Sequence, residues 1–189
     1  MVNIRTAFLL LQTIAILGCA GCSQPADNTA ALEEIKAKAR AAHPNDPIAG
    51  DKAANEALVR NLEQLAPNAN GKEMAALAFL GYYTKKFHAT PTACSERGVE
   101  LKAFSAAFAE ANKVPLEIAS KLVDSTNAIQ RTIPTALVSA RKELDRVAEV
   151  KGIKVEEVCA LIEANAAQMA ESIKFANTFP KLYAQLIAG

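Results

Sequence analysis

Four cysteines and two histidines carry the most obvious chemistry in this chain of 189 residues. Cys94 and Cys159 stand in its body, Cys19 and Cys22 near its start. A thiol-exchange site needs two cysteines close in sequence at a helix start, where the helix dipole lowers one thiol pKa. Cys94 and Cys159 are far apart, and Cys159 falls inside a helical apolar pattern, so the pair reads as a structural disulfide. A bridge closing so long a loop stabilises by about 4 kcal/mol in the chain-entropy view. His43 and His88 fit no H-x-x-x-H spacing, and the cysteines fit no C-x-x-C, so neither metal nor cofactor is expected. No G-x-S-x-G and no glycine-rich phosphate loop is present. Glu33-Glu34 and Glu156-Glu157 are adjacent pairs, which point about 100° apart on a helix and do not converge on a substrate. No catalytic residue is expected, and the protein is not expected to be an enzyme.

One stretch could bind. Tyr82-Tyr83-Thr84-Lys85-Lys86-Phe87-His88 interleaves aromatic and basic residues, which together can grip a glycan, a peptide or an acidic protein surface. Its candidate contacts are Tyr82, Tyr83, Lys85, Lys86 and His88. The competing reading puts Phe87 and one tyrosine in the core and turns the lysines to solvent. The segment 89–95 that follows is expected to be the functional loop, pinned in place by Cys94.

The elements that must position these residues read as helices throughout. Alanine makes up roughly one residue in five, and it is the strongest helix former. Apolar residues at Val155, Val158, Ile162, Ala166, Met169, Ile173 and Ala176 step by three or four, so residues 155–176 are expected to form one organising helix. Other helices are expected over about 29–42, 51–65, 71–88, 99–112 and 113–151, the last kinked or restarted at Pro134, with a short one over 180–187. Asn70 and Glu73 have the spacing of a capping box, and Gly152 suits a helix C-cap. Gly98-Val99-Glu100-Leu101 is echoed by Gly152-Ile153-Lys154-Val155. The echo fades within a few residues and is not read as a duplication. The expected fold is all-α: a single irregular bundle of about six or seven helices with one disulfide, over residues 29–189.

The start of the chain supplies an address. Arg5 precedes an apolar run over 7–17 that is too short to span a bilayer and ends in small residues, as an export signal does. Leu17-Gly18-Cys19-Ala20-Gly21-Cys22-Ser23 follows. This resembles the lipobox of bacterial lipoproteins, in which small residues precede a cysteine that is lipidated and becomes the new N-terminus. The resemblance implies a signal peptide over 1–22, lipid on Cys22 (with Cys19 the alternative) and a polar tether over 23–28. Loss of Cys19 with the signal leaves Cys94 and Cys159 as an even pair, whereas lipid on Cys19 leaves Cys22 as an odd thiol. An ordinary signal without lipid is the remaining reading. Neither cysteine is followed by Asp, which by the same resemblance points to the outer membrane, facing the periplasm.

Basic and acidic residues number 21 and 20. With Arg5 gone they balance, so there is no field to steer nucleic acid, and none is expected as a partner. The expected function is a non-enzymatic lipoprotein of the cell envelope that binds an envelope protein or stabilises an assembly, an immunity or inhibitor protein included. The alternative is a helical carrier of a small apolar ligand in the periplasm.

Overall fold

A computed structural model describes residues 26–44 and 71–188, together with 50, 53, 54, 56, 57 and 60 between them. The expected signal peptide, with Cys19 and Cys22, lies outside the described residues, as do Asn70 and most of the helix expected over 51–65. By its contacts the chain divides into residues 1–34 and 35–189. Of the first unit only the opening turns of α1 (Ala26–Ala41) are described. They begin at 26, inside the stretch expected as tether.

The second unit is all-helical, and no strand occurs among the described residues. Its spine is a run of helix from 71 to 95. It starts as α2 (Gly71–Tyr83), widens into a π-helical segment (Thr84–Ala89) and continues as α3 (Thr90–Ser95). Pro91 was expected to break the helix and leave Cys94 in a loop. Instead Cys94 is in α3. The ring of a helical proline collides with the carbonyl four residues back and gives no N–H to the ladder. Here the wider π turn takes up the misfit: the Thr90 N–H reaches back to the Lys85 carbonyl, and the Thr90 hydroxyl donates to the same oxygen at 2.9 Å.

After α3 come α4 (Lys102–Ala111), α5 (Lys113–Leu122) and the long α6 (Ser125–Lys151). The helix expected over 113–151 is therefore two, and the restart falls at 123–124 rather than at Pro134. Val123 is extended, and the Asp124 carboxylate caps the new start by accepting the Asn127 N–H at 3.1 Å. Pro134 lies inside α6, which runs on through it. Residues 99–101 precede α4 rather than belong to it.

The helix expected to organise the others, 155–176, is broken twice, into α7 (Val155–Ala164), α8 (Ala166–Ser172) and α9 (Phe175–Thr178); α10 (Pro180–Ile187) follows. At the first break Asn165 leaves the helical region and its amide donates to the Leu161 carbonyl at 2.8 Å. At the second, Lys174 is extended, and the orphaned Ile173 carbonyl accepts the hydroxyls of Tyr82 and Thr178.

The two echoed tetrapeptides turn out to mark helix ends. Gly98 (φ 78°) and Gly152 (φ 65°) adopt the left-handed conformation. In each case the glycine N–H and the next N–H bond back into the preceding helix: Gly98 to Ser95 and Val99 to Cys94, Gly152 to Glu149 and Ile153 to Ala148. Both are Schellman caps. The likeness also runs further than the sequence suggested. Each cap leads into a helix of 10 residues that stops at Glu-Ala-Asn, where Asn112 or Asn165 donates its side-chain amide to the carbonyl four residues back.

The core gathers the aromatic residues. Phe79, Tyr82, Tyr83, Phe87, Phe104, Phe108, Phe175 and Phe179 form one connected cluster, with Phe79 edge-on to Phe175 at 5.1 Å and Tyr82 edge-on to Phe179 at 5.4 Å. Alanines 75, 76, 93, 119, 136, 140, 148 and 170 are buried around it, letting helices close in. Asn112 is fully buried and satisfied: its carbonyl oxygen accepts the Phe175 N–H at 2.9 Å and so caps α9. The disulfide joins Cys94 of α3 to Cys159 of α7, and neither side chain is exposed.

Candidate functional site

The π-helical segment sets the site. It carries Lys85 and Lys86 toward α6, where Glu143 meets both: Lys85 Nζ lies 2.5 Å from Glu143 Oε2, and Lys86 Nζ lies 2.7 Å from Oε1. One carboxylate thus holds two ammonium groups, one on each oxygen. The side chains are 24% (Lys85), 16% (Lys86) and 42% (Glu143) exposed, so the group is half-sheltered.

The shelter decides the protonation behaviour. Burial pushes the Glu143 carboxyl upward, but the ammonium groups of Lys86 and Lys85 outweigh it and hold the carboxyl far below the usual range. On Lys85 burial wins and the ammonium is lowered, with Lys86 and Lys36 adding repulsion. On Lys86 burial also acts downward, yet Glu143 and Tyr82 overcome it and the net shift is upward. The phenol of Tyr82 is raised, chiefly by burial, as is that of Tyr83; burial lowers the His88 imidazole.

Beside this group lies a cavity of about 170 Å³. Lys86, Glu143 and Thr90 form its polar end. Phe104, Val147, Val158, Ile162, Met169 and Ile173 are among its apolar walls. The walls come from α4, α6, α7 and α8, so the slot sits where those helices converge on the π segment. The start of α4, which brings Phe104 to the slot, is fixed by a cap made between helices. Leu101, which precedes α4, offers no capping side chain; Glu163 of α7 supplies it, accepting the N–H groups of Ala103 at 2.7 Å and Phe104 at 3.1 Å.

The residues singled out in sequence fall in several places. Tyr83 is buried in the aromatic cluster, and Tyr82 is half-buried with its hydroxyl on the Ile173 carbonyl. Lys86 lines the slot, Lys85 flanks it through Glu143, and half-buried His88 packs against Tyr83 and Phe87. Cys94 and Cys159 are bonded to each other away from solvent. Thr90 falls in the 89–95 segment, while Glu143 and Glu163 carry no signal in sequence: each is an ordinary residue of a helix until its distant partner is known. Among the described residues no three His, Cys, Asp or Glu side chains gather as metal ligands, and no helix is long and apolar enough to cross a membrane.

No protein-family model, curated protein or solved structure gives a significant match to the chain. Its chemistry is therefore read from the slot itself: mainly apolar walls, with the Lys86–Glu143 ion pair and Thr90 as its polar lining.

Proposed function

We propose that the chain is a lipid-anchored protein of the bacterial cell envelope, facing the periplasm, whose helical body is a non-enzymatic binder of a small and mainly apolar molecule. The observation that carries this is the slot, which has apolar walls and a few fixed polar groups at one end, the usual composition of a small-molecule site. The lipobox-like start supports the address, and the buried disulfide suits an oxidising compartment. The test is a titration of the lipid-free helical body with 1-hexanol, followed by methyl NMR. Shifts confined to Val147, Val158, Ile162, Met169 and Ile173 are expected. Shifts absent, or scattered over the surface, would remove the reading.

A second reading keeps the envelope address but makes the ligand a protein, whether an assembly partner or an enzyme to be inhibited. It is favoured by Met74 and Leu77, which stand one turn apart on α2 and are 42% and 45% exposed. Affinity capture from the native envelope separates the two. A stoichiometric protein partner that is lost on Met74→Ser with Leu77→Ser, with the fold intact, would favour this second reading.

A further inference from the structure

The polar end of the slot is unbalanced. Among the described residues its charges are the ammonium groups of Lys85 and Lys86 and the single carboxylate of Glu143 between them. Both Glu143 oxygens are already engaged by lysines, so the carboxylate has little left to offer a cationic guest. Lys86 has the opposite capacity. Its ammonium carries three donors, and its one hydrogen-bond partner among the described residues is Glu143 Oε1. The remaining donors belong to a side chain that lines the slot and is 16% exposed. Bonds from an ammonium to an anionic acceptor are among the stronger ones, and more so away from water. The apolar part sets the size: a cavity of about 150 Å³ lined by Leu, Ile and Phe accepts a benzene-sized guest, and this one is about 170 Å³.

Resting on the small-ligand reading above, we propose that the slot is a site for a small amphipathic carboxylate, with its anionic head on Lys86 and a tail of about six carbons among Phe104, Val158, Ile162, Met169 and Ile173. The Thr90 hydroxyl already donates to the Lys85 carbonyl and has no second proton for an anion, so Lys86 is the donor left to the head group. Glu143 is a positioning residue: it holds the two ammonium groups side by side and keeps Lys86 turned toward the cavity.

Three probes of one tail length test this: hexanoate, 1-hexanol and hexylammonium, each titrated by calorimetry at neutral pH into the disulfide-bonded helical body. Hexanoate is expected to bind about tenfold or more tighter than 1-hexanol, the size of one charge-assisted hydrogen bond, with hexylammonium weakest. Lys86→Met keeps the stem and removes the charge. It is expected to bring hexanoate down to the affinity of 1-hexanol and leave 1-hexanol unchanged. Ala140→Leu fills the slot and is expected to abolish binding of all three; Val147→Phe at the half-exposed wall serves if that variant fails to fold. Equal affinity for hexanoate and 1-hexanol would overturn the carboxylate assignment and leave the apolar binder standing. Tightest binding of hexylammonium would overturn it too. No binding of any probe to the folded protein would remove both.

Discussion

Glu143 shows how far one residue can matter without any signature of its own. Its folded pKa is depressed, so its contribution to stability is whole above the ordinary carboxylate value near pH ~4.3 and is lost as pH falls toward the lower folded value. The protein with Glu143 in place is therefore expected to lose stability below about pH 5 more steeply than Glu143→Gln does, read as the urea midpoint against pH. At neutral pH the same substitution leaves two neighbouring ammonium groups without their shared anion. The cost is expected near 2 kcal/mol, below that of a fully buried pair because Glu143 is 42% exposed. Glu163 works by geometry rather than by charge balance. Glu163→Ala removes the cap of α4 and is expected to cost about 1 kcal/mol in the same assay. Neither role could be read in the sequence, since Lys86 and Glu143 lie 57 residues apart and Ala103 and Glu163 60.

At the scale of elements, the sequence was most legible where a signal is local and least where a neighbour overrules it. Gly152 announces a helix end because only a residue without Cβ adopts its left-handed conformation cheaply. Gly152→Ala is expected to cost about 1 kcal/mol by thermal melting, although a Cβ there meets no other atom, so the penalty is conformational alone. Asp124 was equally local, an N-cap ahead of Ser125-Thr126-Asn127, and deserved a break that the continuous apolar pattern concealed. Pro91 misled for the opposite reason. Propensity places a boundary there, but the π turn absorbs the ring and the helix continues to Cys94. Asn165 and Lys174 divide a stripe that periodicity reads as unbroken: the Asn165 amide turns back onto the Leu161 carbonyl, and the Tyr82 hydroxyl takes the Ile173 carbonyl from a distant helix, neither of which a 3.6-residue pattern registers.

For the whole molecule, the class was readable from composition and the pairing of Cys94 with Cys159 from cysteine arithmetic. The centre was not. The apolar stripe over 155–176 is only half-buried along much of its length, whereas the fully buried mass is aromatic and sits on the 71–95 run with Phe104, Phe108 and Phe175. Aromatic side chains bury far more area apiece than the alanines and valines of the stripe, so they decide where an alanine-rich chain condenses. The covalent tie acts on this scale, since the loop it closes spans 65 residues. Replacing both cysteines by alanine is expected to cost up to about 4 kcal/mol, measured as the shift in urea midpoint between oxidised and cysteine-free protein.

The arrangement of the aromatic cluster has a spectroscopic consequence. The chain has no tryptophan and only three tyrosines, so its near-ultraviolet emission is tyrosine emission. Two of those fluorophores, Tyr82 and Tyr83, sit in the cluster beside the slot, one with its hydroxyl on the carbonyl of wall residue Ile173. Only Tyr183 emits from elsewhere. A guest that shifts Ile173 is expected to disturb the Tyr82 hydroxyl and change its emission, which would make this tyrosine an unlabelled optical reporter of occupancy.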